Sequence, residues 1–185
     1  MDFWVFAYGS LMWRPNFSYQ EAEPGLLEGA HRALCVYSVV HRGTHSTPGL
    51  VLGLDKGGKC HGIVFRVPKH RVQDTRHYLR RRENVTNTYA AVTKPVKLLD
   101  GSGRTVNALC FLVNRHHPQY AGDLAIERQA YLVRRSAGAS GANIDYVINT
   151  VDHLRELGVH DVRLEHLMAI LGHGLVKAKC RGGRG

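Results

Sequence analysis

Leu50-Val51-Leu52-Gly53-Leu54-Asp55-Lys56-Gly57-Gly58-Lys59-Cys60-His61-Gly62-Ile63-Val64-Phe65-Arg66-Val67 is the stretch on which the fold class turns. Residues 50–54 and 60–67 are apolar, β-branched and aromatic runs of strand length. The polar segment between them carries Gly57 and Gly58, which adopt positive φ without steric cost. This is hairpin chemistry, so the stretch predicts two antiparallel neighbours joined by a tight turn at residues 55–59.

Working outward toward the N-terminus, residues 34–40 read as another strand, closed by His41-Arg42-Gly43, with a polar loop leading to Pro48-Gly49. Residues 3–8 read as a first strand ending at Gly9-Ser10, and Trp13-Arg14-Pro15-Asn16 begins a loop because Pro15 cannot continue a ladder. In the other direction the period changes. Pro68 suits a helix start, and residues 69–82 place Val72 and Leu79 on one face with Tyr78 beside them. Residues 89–99 and 104–113 read as two more strands joined by Asp100-Gly101-Ser102-Gly103. Beyond them the pattern is helical: Ile126, Ala130 and Val133 share one stripe, and Ile144, Val147, Ile148, Val151 and Leu154 another. A last helix over residues 162–171 is stopped by Gly172 and Gly174. Strands first and helices afterwards predict an α+β fold. The chain of 185 residues is expected to form one domain, 1–185, with 176–185 as a flexible basic tail.

Composition narrows the function classes. Apolar residues make up 44% and charged residues 22%, an ordinary globular balance. No apolar run is long enough to span a membrane, and the N-terminus lacks a basic leader, so a cytoplasmic protein is expected. Cys35, Cys60, Cys110 and Cys180 form no CxxC pair, and the first three lie in strand-like runs, which predicts reduced, structural thiols. The net charge of +10 suits either a polyanion or a small anionic substrate. No stacking motif or recognition helix accompanies it, so nucleic acid is not the expected partner. No glycine-rich turn of the dinucleotide or P-loop kind is present, and the twelve histidines show no HExxH spacing. Neither cofactor nor metal is expected.

Four stretches carry polar chemistry. Tyr8-Gly9-Ser10-Leu11 follows a strand, and its backbone N–H groups suit a carboxylate or oxyanion; an ordinary turn explains them equally. Tyr78-Leu79-Arg80-Arg81-Arg82-Glu83 ends a helix with a carboxylate at the end that prefers cations, although a solvated charge run accounts for it as well. His41-Arg42-Gly43 places a positive side chain in a loop. Ser140-Gly141-Ala142-Asn143-Ile144-Asp145-Tyr146 opens a helix with residues that suit capping.

Taken together, and in this order, these stretches resemble the ChaC family of glutathione-specific γ-glutamylcyclotransferases over nearly the whole chain. The resemblance rests on Tyr8-Gly9-Ser10-Leu11 followed by Trp13-Arg14-Pro15, on His41-Arg42-Gly43 with Pro48-Gly49, and on Tyr78, Leu79, Arg82 and Glu83. It continues through Pro118, Tyr120 and Gly122, and through Ser140, Gly141, Asn143, Asp145 and Tyr146. Three departures stand out. Asn84-Val85-Thr86-Asn87 replaces a glycine-containing turn, Asp145 replaces a Glu, and Leu50 stands where some relatives have Arg. Asn87 is the residue there best suited to positive φ.

The resemblance implies a mixed sheet closing into a small barrel with helices packed around it. It implies an enzyme that folds the γ-glutamyl unit so that its α-amine attacks its own γ-carbonyl, releasing 5-oxoproline and Cys-Gly without a cofactor. Glu83 is then the catalytic acid/base. Tyr8, Gly9, Ser10, Leu11, Arg42 and Tyr89 are the implied substrate-binding residues, with backbone N–H groups around Gly9 receiving the oxyanion. The motifs bear more on the γ-glutamyl half than on the leaving half, so another γ-glutamyl amide or amine remains an alternative substrate. A basic nucleic-acid-binding module without catalysis is the alternative of a different class.

Overall fold

The computed structural model describes residues 2–83 and 87–172 and, of Glu83, the backbone. The expected basic tail, Cys180 and the turn at Asn84-Val85-Thr86 lie outside the described residues. Five strands form a closed barrel in the order β1-β3-β2-β4-β5: β1 (Phe3–Ala7), β2 (Glu21–Ser38), β3 (Gly49–Val67), β4 (Tyr89–Leu98) and β5 (Thr105–Val113). β1 runs antiparallel to β3 from Phe3↔Val67 to Ala7↔Ile63 and parallel to β5 at Trp4↔Ala108. β4 pairs antiparallel with β5 along its length and meets β2 at Gly25↔Leu98. The mixed sheet closing into a barrel is the fold that the resemblance implied.

The opening stretch corrects the hairpin expectation. Residues 55–59 do not reverse the chain; β3 runs through them without a break. β2 and β3 instead pair from Glu21↔Arg66 to Ser38↔Gly49 as one long ribbon. In that ribbon Glu28 faces Lys59 and Ala30 faces Lys56, so Gly29 stands opposite Gly57 and Gly58 in a bulge. Their φ values are +79°, +95° and +71°, the left-handed conformation that glycine adopts freely. The glycines therefore bend the ribbon rather than end it, which lets one strand serve two sides of a closed barrel: residues 63–67 pair with β1, while Leu54 reaches Leu112 of β5. The reversal between β2 and β3 lies in residues 39–48, around His41-Arg42-Gly43.

β2 also begins earlier than residue 34, at Glu21; Pro24, Gly25 and two register shifts at Glu28/Ala30 and Leu34/Val36 interrupt the alternation by which a strand is recognised in sequence. Pro24 lacks an N–H, but its carbonyl accepts a bond from Leu99 N at 2.8 Å.

The alternation of β1 divides the core. Trp4 and Phe6 join Leu27, Leu54, Cys60, Val64, Val96, Leu98 and Cys110, all from strands, in a cluster inside the barrel. Val5 and Ala7 face the other way, into the larger cluster that the helices cover. Those helices are α1 (Val72–Glu83), preceded by a 3-10 turn over Lys69–Arg71, α2 (Ile126–Arg135), α3 (Asn143–Glu156) and α4 (Val162–Ile170). Leu79 of α1, Val133 of α2 and Leu167 of α4 are fully buried there. Truncating such a side chain costs about 2–5 kcal/mol. Burial pushes the thiols of Cys35 and Cys110 up to about 12 and that of Cys60 to about 11, as expected of reduced, structural cysteines.

Candidate active site

β1 ends at Ala7, and Tyr8-Gly9 leads into a 3-10 turn over Ser10–Met12. The turn is closed by Met12 N donating to Gly9 O and Arg14 N to Ser10 O, both at 2.8 Å. As at any helix start, the first N–H groups have no partner within the turn. They stand beside a cavity of about 140 Å³ lined by Phe6, Tyr8, Gly9, Ser10, Leu11, Val51, Leu52, Tyr89, Phe111 and Tyr146. Five segments far apart in sequence thus converge at one end of the barrel, where β1 stops and β4 begins.

Two tyrosines grip the same backbone residue of β3. The Tyr89 hydroxyl donates to Leu52 O at 2.9 Å, and the Tyr146 hydroxyl accepts from Leu52 N at 3.0 Å. Both rings are therefore held at the cavity wall by one strand position. α1 reaches the wall through Arg82: its Nη2 donates to Ser10 Oγ at 2.6 Å and its Nη1 to the Tyr78 hydroxyl at 2.6 Å. The bond to Ser10 ties the C-terminal end of α1 to the loop after β1, while the bond to Tyr78, one turn earlier on α1, holds the guanidinium in place. Glu83 is the next residue; its side chain lies outside the described residues.

Tyr146 reaches the cavity because the start of α3 is clamped to β3. Asn143, fully buried, accepts from Leu50 N at 2.7 Å and donates to Leu50 O at 2.8 Å, so its amide acts as an extra strand residue. This corrects the capping expectation: the N-cap of α3 is Ala142, with no side-chain cap. Ser140 caps nothing either; its Oγ lies 3.0 Å from His41 Nδ1. The residue 39–48 loop closes on the same segment through Ala139 N to Val40 O and Ser140 N to His41 O, both 2.8 Å.

Of the residues singled out in the sequence, Tyr8, Gly9, Ser10, Leu11 and Tyr89 line the cavity, and Arg42 does not. The Arg42 guanidinium lies 5.5 Å from the ring centroid of the cavity-lining Tyr146 and donates to Ala142 O at 3.3 Å. Tyr120 is placed elsewhere. Its hydroxyl donates to Asp55 Oδ2 at 2.8 Å, while Arg115 Nε donates to Asp55 Oδ1 at 2.7 Å. Burial would raise the Asp55 carboxyl, but these bonds and the Lys56 N–H outweigh it and hold the group below the usual carboxylate range. Burial and the Asp55 carboxylate push the Tyr120 phenol up to about 12. Of the Pro118, Tyr120, Gly122 motif, Tyr120 thus braces the bent β3, and none of the three lines the cavity. Val51, Leu52, Phe6 and Phe111 escaped sequence reasoning, since an apolar residue in a strand carries no signal beyond core. Tyr146 had one, its place in a motif at a helix start.

The predicted positive φ at Asn87 is present, at +55°, in the approach to β4. The family comparison agrees with this geometry. The model of the family described as ChaC-like protein matches residues 3–174. The chain is 36% identical over 165 residues, 89% of its length and 71% of the relative's, to the glutathione-specific gamma-glutamylcyclotransferase of Escherichia coli K12. It is 31% identical over 170 residues, 91% of its length and 76% of the relative's, to human glutathione-specific gamma-glutamylcyclotransferase 1. The fold superimposes with a TM-score of 0.81 on a crystal structure of a γ-glutamyl cyclotransferase specific to glutathione from yeast, at 21% identity, covering 94% of this chain and 97% of that one. With a family match over almost every described residue and the family's opening motif lining the cavity, this chain belongs to the ChaC-like family.

Proposed function

We propose that this chain is a γ-glutamylcyclotransferase that converts glutathione to 5-oxoproline and Cys-Gly in the cavity beside Gly9. The observation that carries the proposal is the convergence of Tyr8, Gly9, Ser10, Leu11 and Tyr89 on one small cavity, with Arg82 latching the end of α1 to Ser10. Curated relatives of both bacterial and human origin bear the name of this activity.

The reaction needs little from the protein beyond shape and proton management. The α-amine nitrogen of the γ-glutamyl unit attacks its γ-carbonyl carbon, the carbonyl becomes an oxyanion, and the bond to the cysteine nitrogen then breaks. Nucleophile and electrophile share one molecule, and well-oriented intramolecular reactions reach effective molarities on the order of 10⁵ M or more. The amine is mostly ammonium at neutral pH, since its reference pKa is about 8. Glu83 takes a proton from the ammonium to free the nucleophile and returns it to the leaving nitrogen. The second proton of the attacking nitrogen is lost as the lactam forms and ends on the freed Cys-Gly amine. No water is consumed, because the nucleophile belongs to the substrate. Glu83 follows Arg82 directly, which keeps its Cα about 3.8 Å from that of the residue bonded to Ser10. Backbone N–H groups of Gly9, Ser10 and Leu11 meet the oxyanion, and Tyr8 and Tyr89 orient the substrate.

Glu83→Gln tests the assignment. It keeps size and hydrogen bonding but removes the base, so 5-oxoproline release should fall by about 10² or more while the protein stays folded. A folded Glu83→Gln protein working at the wild-type rate removes Glu83 from the mechanism. The leaving half of the substrate is tested by comparing glutathione with γ-glutamyl-alanine and γ-glutamyl-lysine; glutathione is expected to give the highest kcat/KM.

A further inference from the structure

Behind the cavity wall lies an arginine that the mechanism does not use. Arg32 stands on β2 with its side chain only 4% exposed. A guanidinium cannot shed its charge by losing a proton, so burial must be balanced by bonds to fixed acceptors. Arg32 Nε donates to the Tyr8 carbonyl at 2.6 Å, Nη2 to the His61 carbonyl at 2.7 Å, and Nη1 to Asp161 Oδ2 at 3.2 Å. Nη2 also lies 3.8 Å from Met12 Sδ. Tyr8 and Met12 bracket Gly9-Ser10-Leu11, so two of these four contacts fall on the ends of the loop that lines the cavity. Filling the site would not require a charge, because apolar residues commonly replace buried ion pairs at no cost in stability.

We propose that Arg32 is a positioning residue that sets the Tyr8–Gly9 peptide from behind, so that the Gly9 N–H is held and polarised as an oxyanion donor. The inference rests on the cyclotransferase reading above. Its physical basis is the planar trans peptide, in which the Tyr8 C=O and the Gly9 N–H share one plane and point in opposite directions. A short bond from a fixed cation to the carbonyl therefore fixes the direction of the N–H on the far side. The charge on Arg32 also draws electron density toward the carbonyl oxygen, which makes the N–H a stronger donor. Such a donor acts most strongly where charge develops, so its effect belongs to kcat more than to KM.

The test compares Arg32→Met, Arg32→Lys and Asp161→Asn in steady-state 5-oxoproline release from glutathione, each well below its melting temperature. Arg32→Lys keeps a charge for Asp161 but not the fork that reaches both carbonyls. Asp161→Asn removes the ionic partner and leaves the grip on Tyr8, and the new side chain still suits the cap of α4. Both Arg32 variants should lose about 10- to 100-fold in kcat, the cost of a displaced rather than deleted donor, with KM within about twofold. Asp161→Asn should lose melting temperature but keep kcat within about twofold. An Arg32 variant at wild-type kcat overturns the proposal, as does an Asp161→Asn loss of kcat equal to that of Arg32→Met. Failure of both Arg32 variants to fold assigns the residue to the fold alone and also overturns it. A wild-type protein that releases no 5-oxoproline from any γ-glutamyl substrate overturns the cyclotransferase reading itself, a result distinct from these.

Discussion

Gly9 and Ser10 are neighbours with different work. A Cβ built on Gly9 would sit 3.6 Å from Leu52 Cδ1, an ordinary contact, so the protein itself tolerates a side chain there. What a side chain takes is cavity space beside the N–H groups. Gly9→Val should therefore melt within a few degrees of wild type and lose about 10² in kcat/KM, the cost of an obstructed oxyanion donor. A folded Gly9→Val protein of normal activity would move the oxyanion site elsewhere. Ser10→Ala removes the acceptor of the 2.6 Å bond from Arg82 but no backbone donor. Its cost should be that of one partly exposed charge-assisted bond, about tenfold or less in kcat/KM, measured in the same assay. The sequence announced both residues, because polar and glycine residues at a strand end stand out from their apolar surroundings. It was silent on Arg32, which precedes the strand expected at residues 34–40 and reads as a solvent-facing charge until the fold closes over it.

At the scale of elements, the Gly57-Gly58 pair marked a real departure from regular strand but not its kind. Positive φ serves a bulge as well as a turn, and only the pairing of Gly29 across the ribbon distinguishes them. The bent β3 is braced by Asp55, Arg115 and Tyr120, and this brace has a pH signature. The Asp55 carboxyl is held low in the fold, so its stabilisation is present above its unfolded pKa of about 3.9 and is lost as acid takes the pH down through the folded value. Tyr120 is held high, so its stabilisation is present below about pH 10, the unfolded value, and is lost as pH rises through the folded value of about 12. Tyr120→Phe should cost about 1–3 kcal/mol at neutral pH by leaving a buried carboxylate oxygen short of a donor. It should also flatten the decline in stability between about pH 10 and pH 12. Urea melts of both proteins across that range check this; parallel declines would show that Tyr120 titrates as it does in the unfolded chain.

For the whole molecule, the +10 charge finds a use consistent with a small anionic substrate. Lys69, Arg71, Arg76, Arg80 and Arg81 are all exposed along the segment that ends at Glu83. Glutathione carries a net negative charge at neutral pH, so this face should speed its arrival. kcat/KM should fall severalfold as ionic strength rises from about 0.01 to about 1 M, where the screening length shrinks from about 30 to about 3 Å. kcat should hardly change, and a kcat/KM independent of salt would reject steering. The α+β class was readable from strand and helix order, whereas barrel closure depends on the parallel pairing of β1 with β5, a long-range contact that no local pattern encodes. In the reaction proposed above the molecule closes its substrate on itself rather than hydrolysing it. Mass spectrometry of glutathione turnover by the purified protein in ¹⁸O-labelled water tests this most directly. Equal amounts of 5-oxoproline and Cys-Gly with no ¹⁸O in either are expected; free glutamate carrying ¹⁸O in its γ-carboxyl group would show hydrolysis instead and overturn the cyclisation.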